Sequence, residues 1–286
     1  MEILIAIGIL GGLGLVFGLV LGAASKIFHV ETDPRLDQLN EALPGANCGG
    51  CGYAGCSGYA EAVLKGEAPI GLCASGGNDA VKEMSRIMGV KAEAMTRKVA
   101  LVRCSGYHRI GEDGKELGSK LKGVYEGVAD CAAAALVVGH GPLVCKFGCL
   151  GFGNCVKACK YDALSIVDGV AKVNKGLCVG CGACVKACPR ELIELHDYND
   201  HTIIACHSHA RGAAVTRGCT QGCIGCGLCT KICPNGAITV VENLATIDYS
   251  KCTGCGLCAT VCPKKLIKSH VTDASQVDMS KVTVGE

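Results

Sequence analysis

The sequence predicts an α+β chain with one N-terminal transmembrane helix, a small helical domain and two tandem modules of short strands and helices. Three observations support this prediction: an uncharged apolar run at the N-terminus, 24 cysteines among 286 residues, and a repeat in the second half of the chain. The chain has no Trp, four Phe and seven Tyr. Because so few aromatic residues cannot build a large ordinary core, disulfides or metal must organise the fold.

The N-terminal run from Ile3 to Ala24 predicts a membrane anchor. A helix of this length spans about 30 Å, which is the thickness of a bilayer core. A cleaved signal peptide fits less well, since it would need a basic start and a shorter apolar stretch, whereas this chain starts Met1-Glu2. Lys26 and Arg35 follow the run. By the positive-inside rule, the chain is therefore expected to cross the cell (inner) membrane once, with its large C-terminal part in the cytoplasm.

The cysteines indicate metal ligation in a reducing compartment. Many of them lie two or three residues apart, which is too close for disulfide geometry and typical of metal ligands. Between Gly141 and His270 there are fourteen Lys and Arg against eight Asp and Glu, and such a basic surround suits a negatively charged metal cluster. The net charge of +2, without interleaved basic and aromatic residues, indicates that nucleic acid is not a partner.

The first cysteine group begins within the stretch LPGANCGGCGYAGC and has the spacing C-x2-C-x4-C-x16-C. Its members are Cys48, Cys51, Cys56 and Cys73. Glycines among them allow the backbone to fold around a cofactor, and a helix predicted over 57–64 would point its positive end at it. Zinc is the alternative, but zinc sites usually show two C-x2-C pairs. The spacing therefore favours a [4Fe–4S] cluster.

The second half of the chain contains a 74-residue repeat. Eight cysteines recur at this offset, namely Cys145, Cys149, Cys155, Cys159, Cys178, Cys181, Cys184 and Cys188 with Cys219, Cys223, Cys229, Cys233, Cys252, Cys255, Cys258 and Cys262. Three runs read C-x2-C-x2-C-x3-C-P and end at Pro189, Pro234 and Pro263. This is the pattern of bacterial two-cluster ferredoxins, in which the fourth cysteine binds the neighbouring cluster. Alternating residues between the runs, as in AITVVENLATID, predict short paired strands.

The first run of the first unit departs from this pattern. Phe152 stands where the second unit has Cys226, and Lys160 replaces the proline. We expect Cys145 to supply the missing thiolate, although a three-iron cluster or an unusual potential is an alternative there. The expected ligand sets are then Cys145, Cys149, Cys155 and Cys188; Cys159, Cys178, Cys181 and Cys184; Cys223, Cys226, Cys229 and Cys262; and Cys233, Cys252, Cys255 and Cys258.

Four cysteines remain outside these sets, and two interpretations of them stay open. They are Cys104, Cys131, Cys206 and Cys219. They are either small buried apolar residues or the ligands of a sixth metal centre. His207 and His209 have no partner at a ligand spacing and are expected to be exposed loop residues.

Taken together, the order of these parts resembles the B subunit of the Rnf complex. The resemblance rests on the N-terminal run, on LPGANCGGCGYAGC and on the stretches YEGVADC, CKFGCLGFGNCVKAC and GCIGCGLCTKICPNGAI. It implies a membrane ferredoxin:NAD⁺ oxidoreductase coupled to Na⁺ or H⁺ movement. In such a complex this subunit would accept electrons from soluble ferredoxin and relay them to membrane and flavin subunits. Two departures limit the resemblance: Phe152 and Lys160 break the first ferredoxin run, and the surplus cysteines exceed the set of the shortest family members.

The predicted organisation is an anchor (1–26), a [4Fe–4S] domain (32–92), a connecting segment (93–140), two ferredoxin modules (141–200 and 201–270) and a tail (271–286). At least five [4Fe–4S] clusters are expected. No acid–base pair or Ser–His arrangement stands out, so the chain is expected to be an enzyme only as part of a complex. The alternatives are the electron-input subunit of a hydrogenase or formate-oxidising complex, a zinc-dependent scaffold, and a store or donor of iron–sulfur clusters.

Overall fold

The computed structural model describes residues 2–27, 33–106, 108–110, 116–200 and 202–269. Its helices are α1 (Glu2–Ile27), α2 (Pro34–Ala42), α3 (Cys56–Leu64), α4 (Gly77–Met88), α5 (Cys131–Leu136), α6 (Asn154–Lys157), α7 (Ala183–Ala187), α8 (Gly212–Gly218), α9 (Leu228–Ile232) and α10 (Leu257–Thr260). Its strands are β1 (Lys98–Val102), β2 (His108–Ile110), β3 (Glu116–Gly118), β4 (Leu164–Val167), β5 (Val170–Val173), β6 (Ile193–Asp197), β7 (Thr202–Ile204), β8 (Ile238–Val241), β9 (Leu244–Ile247) and β10 (Ile267–Ser269). Four helices come first, and from β1 onward short helices are interspersed with strands that pair into two-stranded antiparallel sheets, so the described residues have the mixed helix and strand content that was predicted.

The N-terminal helix α1 has 26 residues, but its side chains are described only over residues 11–24. Among the residues that the structure describes, none of the helices meets the length and hydropathy of a membrane crossing. The side chains of residues 1–10 and 25–26 of the predicted anchor lie outside the described residues, and so does the whole predicted tail.

The first soluble domain consists of α2, α3 and α4 packed around one small core. Leu39, Tyr59 and Met84 are almost completely buried in it. The Tyr59 hydroxyl donates to the Pro69 carbonyl at 3.0 Å and accepts from the amides of Gly71 and Leu72 at 3.2 Å. These bonds hold the loop that leads to Cys73. The predicted helix over 57–64 is confirmed as α3.

Each of the two ferredoxin modules contains a hairpin and a second strand pair. The hairpins are β4–β5 and β8–β9, and the second of these coincides with the strands predicted in AITVVENLATID. The second pairs are β1–β6, with Lys98 opposite Asp197, and β7–β10, with Thr202 opposite Ser269. In both modules the strand that precedes the first cysteine run pairs with the last strand of the module. The first of these strands, β1, comes from the predicted connecting segment and completes the first module.

Cysteines make up a large share of the cores of both modules. In the first module Cys104, Cys155, Cys178 and Cys184 are buried among apolar residues that include Val170 and Ile193. In the second module, Cys206, Cys223, Cys229 and Cys258 are buried with Leu244 and Ile267. Thiols thus occupy positions that large aliphatic side chains fill in ordinary cores. A metal cluster bound by these thiols would therefore contribute to the stability of both modules.

The segment that follows β3 forms a seam between the two modules. On one side, the amides of Lys120 and Thr220 donate to the carbonyls of Gly218 and Gly118, both at 2.9 Å. On the other side, the Val144 amide donates to the Lys120 carbonyl at 2.9 Å. Backbone from the connecting segment therefore lies between residues 142–144 of the first module and residues 218–220 of the second.

Candidate metal centres

All 24 cysteines lie in the described part of the chain as free thiols, and they form groups of four. Five of these groups are site 1 (Cys48, Cys51, Cys56 and Cys73), site 2 (Cys159, Cys178, Cys181 and Cys184), site 3 (Cys131, Cys149, Cys155 and Cys188), site 4 (Cys223, Cys226, Cys229 and Cys262) and site 5 (Cys233, Cys252, Cys255 and Cys258). Within the described residues, no group of three or more His, Cys, Asp or Glu side chains is arranged to hold a single metal ion. The thiols of sites 1 to 4 surround small cavities instead.

Site 1 lies where the loop of residues 43–55 meets the start of α3. The Asn47 side chain fixes this junction, because its Oδ1 accepts from the Cys56 amide at 2.8 Å. The Cys48 thiol lies 3.4 Å from the Ser75 hydroxyl. Burial above all, and then the charges of the other three thiols, raise the pKa of Cys73. The four sulfur atoms are thus close enough to interact electrostatically, as expected from their spacing.

Site 2 joins Cys159 to the three cysteines of the run that precedes and enters α7. The Ala100 amide of β1 donates to the Cys178 sulfur at 3.3 Å, which ties this ligand loop to the sheet. Burial, followed by the charges of Cys178 and Cys181, raises the pKa of Cys184 to about 12. The crossed arrangement expected of a ferredoxin module is present, because Cys159 comes from the other run.

Site 3 differs from the grouping expected from the sequence. Cys131 lines its cavity together with Cys149, Cys155 and Cys188, and Cys145 does not. The reason lies in α5, which begins at Cys131. The Cys131 amide donates to Asn154 Oδ1 at 2.9 Å, while Asn154 Nδ2 donates to the Asp130 carboxylate at 2.7 Å. The first turn of α5 is thereby held against α6, beside the position where the second module has Cys226.

Phe152, which replaces that cysteine, has a packing role. Its ring lies 5.2 Å from the ring of Tyr125, measured between centroids. Tyr125 and Cys131 both belong to the stretch YEGVADC. The contact therefore anchors this stretch over the first module, where it brings in a replacement thiol.

Sites 4 and 5 have the arrangement expected from the repeat. At site 4, three cysteines of the run before and within α9 meet Cys262, and Cys226 is the one cysteine of the chain that is exposed. At site 5, burial raises the pKa of Cys258 to about 12, with further contributions from Cys255, Cys252 and Cys233. The Ala237 amide donates to the Cys233 sulfur at 3.3 Å.

The remaining four cysteines line a sixth and larger space, which we call the junction cavity. Its thiols are Cys104, Cys145, Cys206 and Cys219, and its volume is about 310 Å³. Three of these cysteines are buried, and Cys145 is half-buried. His207 also lines the cavity and, like His209, is half-buried rather than exposed. The expectation for these two histidines was wrong, because their rings pack against each other with centroids 5.6 Å apart.

Comparisons with known proteins agree with this geometry. Residues 43–75 match the model of a putative Fe-S cluster domain, residues 171–194 that of a 4Fe-4S binding domain, and residues 222–266 that of a 4Fe-4S dicluster domain. The chain is 41% identical to the B subunit of the Na⁺-translocating ferredoxin:NAD⁺ oxidoreductase complex of Acetobacterium woodii, over 87% of this chain and 73% of that protein. It is 44% identical to the B subunit of the proton-translocating ferredoxin:NAD⁺ oxidoreductase complex of Clostridium ljungdahlii, over 83% and 81%.

A third relative is matched over most of the length of both proteins. The B subunit of the ion-translocating oxidoreductase complex of Methanosarcina acetivorans is 40% identical over 86% of this chain and 90% of its own length. The chain belongs to the family of B subunits of ion-translocating oxidoreductase (Rnf) complexes. The Rnf resemblance drawn from the motifs is thus confirmed. None of the three matched domains of this Rnf protein includes a cysteine of the junction cavity.

Sequence reasoning missed one signal in the repeat. In the second unit, sites 4 and 5 are complete without Cys219, and Cys145 is its counterpart 74 residues earlier. By the symmetry of the repeat, Cys145 should therefore also be left over from the first module. That reasoning would have left Cys131 for site 3, which is where the structure has it.

Proposed function

We propose that this chain is the membrane-anchored electron-transfer subunit of an ion-translocating ferredoxin:NAD⁺ oxidoreductase. It would accept electrons from reduced ferredoxin and relay them to membrane and flavin subunits. The observation that carries the proposal is the presence, within one chain of this family, of five cysteine quartets that lie in two series of adjoining sites. Bound at these quartets, [4Fe–4S] clusters would supply one-electron transfer. The proposed ligands are the cysteines of sites 1 to 5, and five is the minimum number of clusters.

The donor sets fit an iron–sulfur cluster better than zinc. A zinc ion draws four sulfur atoms to within about 2.3 Å of one point, whereas these thiols surround a space. Backbone amides also donate to the sulfur of Cys178, Cys188 and Cys233 at 3.3 to 3.4 Å. Such bonds stabilise negative charge on the sulfur and are one of the means by which proteins set cluster potentials.

The order of the sites follows from contacts between their ligands. Cys181 of site 2 lines the cavity of site 1, and a Cβ on Gly50 would lie 2.6 Å from the Cys181 carbonyl oxygen. Cys184 of site 2 and Cys155 of site 3 share one core. In the second module, Cys229 of site 4 and Cys258 of site 5 likewise share a core. Sites 1, 2 and 3 therefore form one series, and sites 4 and 5 another.

Site 4 is the favoured place for contact with soluble ferredoxin. Its ligand Cys226 is exposed, and Lys264 lines the same cavity. Lys231 and Lys265 are exposed, and they lie close in sequence to the other ligands Cys229 and Cys262. A basic surface beside an exposed ligand suits an acidic electron carrier, and such docking weakens as salt rises.

An apolar surface near site 3 suits the other subunits of the complex. Leu136, at the end of α5, is 87% exposed, and Val138, just after the helix, is 99% exposed. Val124 and Val128 in the preceding stretch are also largely exposed. Several largely exposed aliphatic side chains within one short stretch of the chain suit a protein–protein contact, and this stretch is the proposed docking site for those subunits.

The membrane anchor is part of the proposal. It is supported by the uncharged sequence from Ile3 to Ala24 and by the basic residues after it, which favour a cytoplasmic position for the cysteine sites. Extraction of native membranes with carbonate tests it: the full chain should stay with the membrane, and a variant lacking residues 2–26 should be released.

The test of the function is a rapid freeze-quench experiment under anaerobic conditions. Unlabelled ferredoxin, reduced beforehand and freed of excess reductant, is mixed with the oxidised, ⁵⁷Fe-labelled full-length chain. Samples frozen at successive times are examined by Mössbauer spectroscopy, which reports the reduction of the labelled clusters alone. We expect rapid transfer that slows with salt and with the double variant Lys264→Glu, Lys265→Glu, whereas Lys82→Glu on the first domain serves as the control. Absence of electron transfer from ferredoxin would contradict the proposed donor. Isolation with hydrogenase or formate-oxidising subunits would instead support the alternative complex.

A further inference from the structure

We infer that the junction cavity is a sixth metal site, in which Cys104, Cys145, Cys206 and Cys219 bind an additional [4Fe–4S] cluster between the two ferredoxin modules. The inference rests on the proposed function for the chemistry of the cluster. It adds a site that none of the matched domains covers, with two ligands from each half of the repeat.

The seam between the modules places two of the ligands. Ser119 forms an isolated antiparallel bridge with Cys219, and Leu121 forms another with Leu143, two residues before Cys145. One short segment of backbone therefore pairs with both ligand-bearing loops at once. The Ser119 hydroxyl donates to the Cys219 sulfur at 3.9 Å.

The other two ligands come from equivalent places in the two modules. Cys104 follows the end of β1 by two residues, and Cys206 follows the end of β7 by two residues. Each sulfur accepts a hydrogen bond from the amide of an equivalent cysteine, Cys149 at 3.5 Å and Cys223 at 3.3 Å. Cys104 and Cys206 thus occupy equivalent positions in the two modules, as Cys145 and Cys219 do in the 74-residue repeat, which is unexpected of unrelated buried cysteines.

The surroundings suit a cluster that carries negative charge. Arg103, Lys146 and Arg217 line the cavity, and the Arg190 guanidinium donates to the Cys145 carbonyl at 3.2 Å and to the Gly148 carbonyl at 2.9 Å. Arg103 is ion-paired with Glu194 at 2.6 Å, so Lys146, Arg190 and Arg217 are the cations that offset the charge of thiolates bound to iron. The space of about 310 Å³ is larger than the cavities at sites 1 to 4.

A cluster here would join the two series of sites. Cys149 of site 3 donates its amide to the sulfur of Cys104, and Cys223 of site 4 donates its amide to the sulfur of Cys206. The junction cavity therefore adjoins site 3 on one side and site 4 on the other. The resulting order is site 1, site 2, site 3, the junction cavity, site 4 and site 5.

The test is native mass spectrometry of the full chain, purified without oxygen, together with iron and acid-labile sulfide analysis. We expect the natural chain to carry six clusters, or about 24 iron atoms. Cys206→Ser and Cys104→Ser should each lose about four iron atoms, and the double variant should lose no more than either single one. Ser208→Ala changes a buried residue of the same cavity without removing a thiol and should keep all six clusters.

Five clusters in the natural chain would overturn the inference, whatever the variants do. An unchanged iron content in Cys206→Ser, or additive losses in the double variant, would overturn it as well. In these cases the remaining five clusters would still accept electrons, so the proposed function would stand. A chain without iron would instead contradict both.

Discussion

Lys160 shows how one substitution in a ferredoxin run connects two domains. Where the regular runs have proline, the Lys160 ammonium donates to the carbonyls of Ala46 and Asn47 at 3.0 and 3.2 Å. The next residue, Tyr161, donates its hydroxyl to Ser75 at 2.8 Å. Both contacts hold the loop of site 1 against the first module.

Replacing Lys160 by proline should restore the regular run and weaken this domain contact. The loss of two exposed, charge-assisted hydrogen bonds costs about 1 kcal/mol. We expect faster amide hydrogen exchange over residues 45–52 and unchanged exchange over residues 223–233. Lys157→Ala is the matched control, since Lys157 donates to Ala129 instead. Equal exchange in the natural chain and in Lys160→Pro would show that the lysine does not hold the domains together.

The assignment of Cys131 to site 3 and of Cys145 to the junction cavity gives a second prediction at the scale of residues. In a Cys206→Ser background, adding Cys145→Ser should remove no further iron, because both residues belong to the junction cavity. Adding Cys131→Ser should remove or convert one more cluster, because Cys131 belongs to site 3. Iron analysis and electron paramagnetic resonance of the reduced protein distinguish the two. The opposite pattern would restore the grouping expected from the sequence.

Spacing and the repeat predicted the cysteine groups of sites 1, 2, 4 and 5. They did not predict the two groups that contain Cys131 and Cys145, which depend on distant segments of the chain. Cys223, Cys226 and Cys229 lie within one run, so local geometry decides their grouping. Cys131 reaches site 3 only because Asn154 and Asp130 hold α5 in place, and no local pattern encodes that contact. The sequence also left the role of Cys104 and Cys206 open, because the seam that brings them together is formed by backbone pairing.

At the scale of elements, the stability of the short helix α5 depends on the cap at its N-terminus. Asp130 caps the helix by accepting from the Ala133 amide at 2.8 Å, and the same carboxylate accepts from Asn154. These six residues would not form a stable helix in isolation. The cap therefore couples the helix to the position of Cys131.

Asp130→Ala should loosen site 3 selectively. Without the cap and the bond from Asn154, the Cys131 thiol loses its fixed position, so a chelator should remove iron from site 3 severalfold faster. Cluster loss followed by native mass spectrometry measures this. Asp37→Ala, which changes an acidic residue in the first turn of α2, serves as the control. Equal rates of loss in both variants would mean that the cap does not support the site.

Alternation and capping predicted the local elements well. The strands in AITVVENLATID and the helix after Cys56 follow from side-chain periodicity and glycine positions, which act over a few residues. The pairing of β1 with β6 joins residues about 95 positions apart, and the pairing of β7 with β10 joins residues about 65 positions apart. These strands are short, so their pairing depends on the packing of the whole module.

For the whole molecule, the clusters should be part of the core rather than additions to it. Buried thiols account for a third or more of the residues in the cores of both modules. Removing iron with a chelator and an oxidant should therefore unfold the modules. We expect limited proteolysis to cleave the stripped chain within residues 141–269, and the loaded chain to resist. A stripped chain that stays equally resistant would show that side-chain packing suffices.

The central claim is that thiolate quartets in this chain hold [4Fe–4S] clusters. Mössbauer spectroscopy of the anaerobically prepared, ⁵⁷Fe-labelled chain tests it most directly. We expect nearly all of the iron to give the signature of oxidised [4Fe–4S] clusters, which changes on reduction with dithionite by about one electron per cluster. A chain whose iron is mononuclear, or whose quartets hold zinc and no iron, would contradict the account.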